Sequence, residues 1–114
     1  MTDTNDKVNE REAVQGDQGQ RLLASGERLS MRIWEQEPPQ AEPIVSTRPY
    51  ETVGYVISGA AELDMDGEVT RLAPGDSWIV PAGARHSYRI LEPLTAVEAT
   101  APPTHHNNLD PEGN

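Results

Sequence analysis

The chain has 114 residues, enough for one domain with a small core. Nine basic against nineteen acidic residues give a net charge of -10, and Lys7 is the only lysine. Such a field repels phosphate backbones and anionic lipid surfaces, which disfavours nucleic acid and membrane as partners. The chain contains no cysteine, which excludes disulfides, thiolate metal sites and cysteine nucleophiles.

No N-terminal segment has the form of a secretory leader, and no stretch approaches the roughly 20 apolar residues of a membrane helix, so a cytoplasmic protein is expected. Residues 1–19 are polar and acidic, with Val8, Ala13 and Val14 the only apolar residues after Met1. They read as a mobile arm, because they cannot bury enough surface to offset their ordering entropy.

From Gln20 the pattern changes. Arg21 to Ala24 is a short candidate strand and Ser25-Gly26 a turn. Leu29, Met31 and Ile33 then alternate with Ser30, Arg32 and Trp34, the period of a half-buried strand. Glu35 to Pro43 carries three prolines and reads as a loop. Ile44 to Arg48 has extended propensity and stops at Pro49. Thr52 to Ser58 is apolar at both parities, as expected of a central strand buried on two sides, and Gly59 ends it. Ala61 to Met65 and Glu68 to Leu72 flank Asp66-Gly67, a strong hairpin signal. Trp78 to Val80, His86 to Leu91 and Thr95 to Ala99 complete the strands, with Pro93 separating the last two. Short strands with turn residues every 8 to 12 positions or so predict an all-β sandwich or barrel over residues 20–101. Residues 102–114 read as a flexible tail, and its His105-His106 pair as two surface side chains rather than a metal tract.

Gly75 to His86 carries the most specific signal. A Gly-Asp corner opens the Trp78-Ile79-Val80 strand, Pro81-Ala82-Gly83 turns the chain, and His86 begins the next strand. This G-x5-P-x-G-x2-H spacing resembles the second motif of the cupins, antiparallel jelly-roll barrels (double-stranded β-helices) with a metal or ligand site inside. The resemblance implies that fold and, from small relatives, a homodimer.

The family's first motif, G-x5-H-x-H-x3-4-E-x6-G, aligns on Gly59. Its glutamate place falls on Thr52 and its two histidine places on Ser46 and Arg48, while Ile90 stands where the second motif ends on asparagine. Of the four metal ligands that the resemblance implies, His86 alone is present. Glu51 lies one residue out of register, and only a local bulge near Pro49 would bring it inside. A divalent Fe, Mn, Zn or Ni ion wants three or four N or O donors, and a guanidinium at Arg48 opposes a cation.

Alternation puts Ser46, Arg48 and Thr52 on one face, with His86, Tyr88 and Ile90 on the facing one. His86, Arg48, Tyr88, Ser46 and Thr52 then describe a site for a small anionic or polar organic molecule, Arg48 holding a carboxylate by two parallel hydrogen bonds. Two other readings stay open. One is a metal-dependent dioxygenase or isomerase using His86 with Glu51. The other is a structural or regulatory barrel with no ligand. Trp78 and Tyr55 are expected in the core or at a subunit interface.

Overall fold

A computed structural model describes residues 7–16, 19–40 and 42–104. Among the described residues the chain forms six antiparallel strands: β1 (Arg21–Ser25), β2 (Ser30–Glu37), β3 (Glu51–Met65), β4 (Glu68–Leu72), β5 (Ser77–Val80) and β6 (His86–Ala101). Their order is β1-β2-β6-β3-β4, with β5 also paired to β3. The expected all-β antiparallel architecture is the one observed.

Two long strands hold the frame together. The first half of β3 lies between β5 and the second half of β6; its second half lies between β4 and the first half of β6. β2 continues the first layer by pairing with Ser30↔Thr100 through Glu37↔Leu94. The register of β3 against β6 shifts between Val56 and Ala61, where both strands pass from one layer to the other. Gly59 sits at this corner with φ +89°, and a Cβ there would fall 2.0 Å from the Pro93 carbonyl oxygen. Only glycine meets both demands.

The corner has a consequence for sequence reading. Before it the inward residues of β3 are the even ones, Thr52, Gly54 and Val56; after it Ala61 and Leu63 are buried. One inserted residue reverses the parity. The strand that the sequence ends at Gly59 in fact bends there, and the two segments either side of Pro93 are likewise one strand. At the far end of β3 the Asp66-Gly67 hairpin forms as expected, with Met65 paired to Glu68.

The aliphatic core joins the layers: Val56, Val80, Leu94 and Ala96 from one pack with Ala61, Leu63, Leu72 and Ile90 from the other. The β2 alternation is real, but its inner face is the polar one. Ser30 and Arg32 are buried while Leu29 and Met31 are exposed; Ile33, expected on the same face as those two, is buried as expected. Inside, Ser30 and Thr100 share a hydrogen bond between hydroxyls of 3.0 Å, and Arg32 is ion-paired, which satisfies groups that would otherwise be costly to bury.

Three further expectations are corrected. Thr52 to Ser58 is central in the sheet, but within one chain only one face is covered, and Val53, Tyr55 and Ile57 are about half exposed. Ile44 to Arg48 forms no strand beyond a single bridge between Ser46 and His86. Pro102 to Thr104, expected in the tail, packs back: Pro103 is fully buried and the Thr104 amide donates to Ser30 Oγ at 3.2 Å. The part of the expected arm that is described, residues 7–16, carries a 3-10 turn at Glu10–Glu12 and bridges Gln15 to Arg21. His105-His106 lies outside the described residues. Among those described, no helix is long and apolar enough to cross a membrane.

Candidate functional site

A cavity of about 240 Å³ opens between the layers. Ser46, Arg48, Thr52, His86 and Tyr88 all line it, together with Arg32, Trp34, Tyr50, Trp78 and Glu98. The first five are the residues that the motif spacing singles out; the others are not foreseen. Glu51 is exposed on β3, paired across to Ala101, so no bulge returns it to the interior and the metal-ligand role considered for it is corrected.

Each polar group is held for a physical reason. His86 begins β6, clamped by reciprocal backbone bonds to Ser46 of 2.8 and 3.0 Å. Its Nδ1 lies 3.0 Å from the Ala84 carbonyl oxygen. A carbonyl only accepts, so Nδ1 carries the hydrogen, and in the neutral imidazole the lone pair belongs to Nε2. Arg48 is buried, and its carbonyl accepts from Gly83 N–H at 2.8 Å, which ties the arginine to the turn before His86.

Tyr88 packs edge-on against both His86 and Trp78, with ring centroids 5.6 and 6.3 Å away. Trp78 Nε1 donates to the Tyr88 hydroxyl at 3.0 Å. Indole N–H only donates, so the phenol accepts there and keeps its own proton to give. Burial pushes the Tyr88 phenol far above its usual range, and the Glu98 charge adds to the effect. Tyr88 is therefore a neutral donor.

Across the inner face, Arg32, Glu98, Gly54 and Trp78 stand in one cross-strand row over β2, β6, β3 and β5. Arg32 Nε donates to Glu98 Oε1 at 2.8 Å, and Trp34 Nε1 donates to the same oxygen at 2.9 Å. The Arg32 guanidinium also lies 5.6 Å from the ring centroids of both Trp34 and Tyr50. At Gly54 the missing side chain is what admits Trp78, since a Cβ there would sit 2.4 Å from the indole ring. Parity is the signal that could have revealed this row: His86, Tyr88, Ile90, Ala96 and Glu98 are all even, and in one continuous strand they share a face.

The donor set does not fit the divalent metal that this fold family implies. Among the described residues no group of three His, Asp or Glu side chains converges. Ser46, Arg48 and Thr52 do face the cavity from the family's ligand places, but they offer two hydroxyls and a cation. Glu98 is committed to Arg32 and Trp34.

Comparison with known proteins agrees with this architecture. The family model described as Cupin domain matches residues 33–106. The chain belongs to the cupin family. No curated relative matches it. Among solved structures it is similar to an RmlC-like cupin from Shewanella frigidimarina, with TM-score 0.78 and 19% identity, covering 96% of this chain and 100% of that one. It is also similar to KdgF from Halomonas sp., with TM-score 0.71 and 24% identity, covering 84% and 93%. A salicylate 1,2-dioxygenase variant from Pseudoaminobacter salicylatoxidans aligns with TM-score 0.58 and 22% identity over 65% of this chain and 21% of that one. At these identities the likeness shows the fold.

Proposed function

We propose that this cupin is a small-molecule-binding module that takes an anionic organic ligand without a metal. The observation that carries the reading is the convergence on one cavity of a buried guanidinium, a neutral phenol donor, an imidazole with Nδ1 already committed and two hydroxyls. Two arginines, Arg32 and Arg48, and two glutamates, Glu37 and Glu98, line the cavity; Arg32 is paired with Glu98, so Arg48 is the guanidinium that meets the anion in this reading. A guanidinium has five N–H donors, enough to take a carboxylate in addition to protein partners. Tyr88 O–H and the Ser46 and Thr52 hydroxyls then serve further acceptors on the ligand, and His86 Nε2 accepts a hydrogen bond from it.

Titration calorimetry with simple carboxylates (acetate, succinate and benzoate) at millimolar concentration tests this. At least one should bind, and Arg48→Gln should weaken it by about tenfold or more. No binding by any of them would reject the reading. Metal analysis of protein purified without a chelating tag supplies the competing outcome: stoichiometric Fe, Mn, Zn or Ni, lost in His86→Ala, would replace it with a metal-dependent cupin enzyme.

The same reading includes a second copy of the chain as partner. Met31, Val53, Tyr55, Ile57 and Ile79 are 40–50% exposed on the outer face of the first layer, where Met31, Ala99, Val53 and Ile79 form one cross-strand row. A contiguous apolar face of this kind gains from being covered. Sedimentation equilibrium should give a dimer that Tyr55→Glu dissociates; a monomer at all concentrations would refute it.

A further inference from the structure

The chain has two tryptophans, three tyrosines and no phenylalanine, and four of these five aromatic residues line the cavity described above: Trp34, Tyr50, Trp78 and Tyr88. The buried core cluster contains only Val, Ala, Leu and Ile. In most small domains aromatic side chains supply much of the core area. Here Trp78 and Tyr88 pack against the edge of that cluster and Tyr50 is itself buried, yet all four rings also border one space.

Three of their four polar ends are bound within the protein, and Tyr88 keeps an O–H to give. Trp34 Nε1 is bound to Glu98 and Trp78 Nε1 to Tyr88, while the Tyr50 hydroxyl lies 3.5 Å from an Arg32 terminal nitrogen. Gly54 leaves the space that Trp78 fills, and the Arg32 guanidinium is placed against the Trp34 and Tyr50 rings. The aromatic walls are thus fixed in place, and with Ile44, Leu72, Ile90 and Leu94 they leave ring and hydrocarbon surface to the ligand. A polyol would lose hydrogen bonds to water against such walls without full replacement. A flat apolar ring would not, and it can meet the surrounding rings edge-to-face or offset. At about 240 Å³ the space is just below the 300–1,000 Å³ range usual for drug-sized ligands, which suits a single ring.

We infer that the ligand is an aromatic carboxylate, its ring seated among Trp34, Tyr50, Trp78 and Tyr88 and its carboxylate on Arg48. This deepens the anion-binding reading and rests on it.

Because both tryptophans line the cavity, intrinsic fluorescence reports its occupancy directly. The unmutated protein is titrated with benzoate, acetate, glucuronate and benzamide. Benzoate should bind at least roughly tenfold more tightly than acetate or glucuronate, because burying its ring adds apolar contact that neither competitor offers. Benzamide, which keeps the ring and lacks the charge, should bind more weakly than benzoate, and Arg48→Gln should remove that difference. Acetate or glucuronate binding as tightly as benzoate would overturn the aromatic inference while leaving anion binding standing. Failure of all three carboxylates to bind would overturn both. Trp34→Leu, checked for folding by circular dichroism, should reduce benzoate affinity more than acetate affinity. The ratio measured on the unmutated protein decides the inference even if that variant does not fold.

Discussion

Glu98→Gln puts the inner face of the barrel to a quantitative test. The Arg32 and Glu98 side chains are 8% and 6% exposed, with Nε and Oε1 2.8 Å apart. The amide keeps an oxygen for Trp34 Nε1, so the substitution removes a charge and little else. What remains is a buried guanidinium that has lost the Glu98 charge, for which the cost is about 3–5 kcal/mol. An exposed pair would be worth about 0–1 kcal/mol. Urea unfolding followed by circular dichroism, with the slope checked for constancy, separates these cases. Arg32→Met should cost a similar amount, and the double substitution Arg32→Met with Glu98→Leu should cost well under the sum, because it removes both charges. A loss below about 1 kcal/mol for Glu98→Gln would show that water reaches and screens the pair, against the low exposure of both side chains.

Two further outcomes follow from the geometry. Gly59→Ala faces a positive φ and a Cβ 2.0 Å from the Pro93 oxygen, so it should cost several kcal/mol and shift the urea midpoint accordingly; a change under about 1 kcal/mol would mean that the corner can relax. Burial raises the Tyr88 phenol, so its contribution to stability is complete below the ordinary tyrosine value of about 10 and declines as pH rises above it, by up to about 1.4 kcal/mol per pH unit. The midpoint should therefore fall more steeply above about pH 10 in the unmutated protein than in Tyr88→Phe; parallel curves would contradict the assignment of a buried phenol.

Much of the barrel was legible because its turns and strand alternation are local signals. Asp66-Gly67 and the Gly75 to His86 spacing each depend on a few adjacent residues and were found where expected. The long strands were harder. Gly59 and Pro93 look like breaks, yet they occupy the two sides of a bend that only tertiary pairing reveals. The same limit applied to the site. Ser46, Arg48, Thr52, His86 and Tyr88 were reached through motif spacing and parity. Arg32 and Glu98 were hidden because each lies in an apolar context, and a charged residue there reads as solvent-facing until its partner, sixty-six positions away, is known. Leu29 and Met31 misled in the opposite sense: apolar character alone suggested burial, whereas the barrel turns them outward.

The passage of β3 and β6 through both layers also governs how the molecule can come apart. Neither layer has a strand set of its own, so no half can detach and persist as an autonomous fragment, and native-state hydrogen exchange should release the amides of the two shared strands together. Pairings such as Ser30 with Thr100 span seventy positions, so assembly must wait for distant segments to meet and should proceed in milliseconds to seconds rather than microseconds.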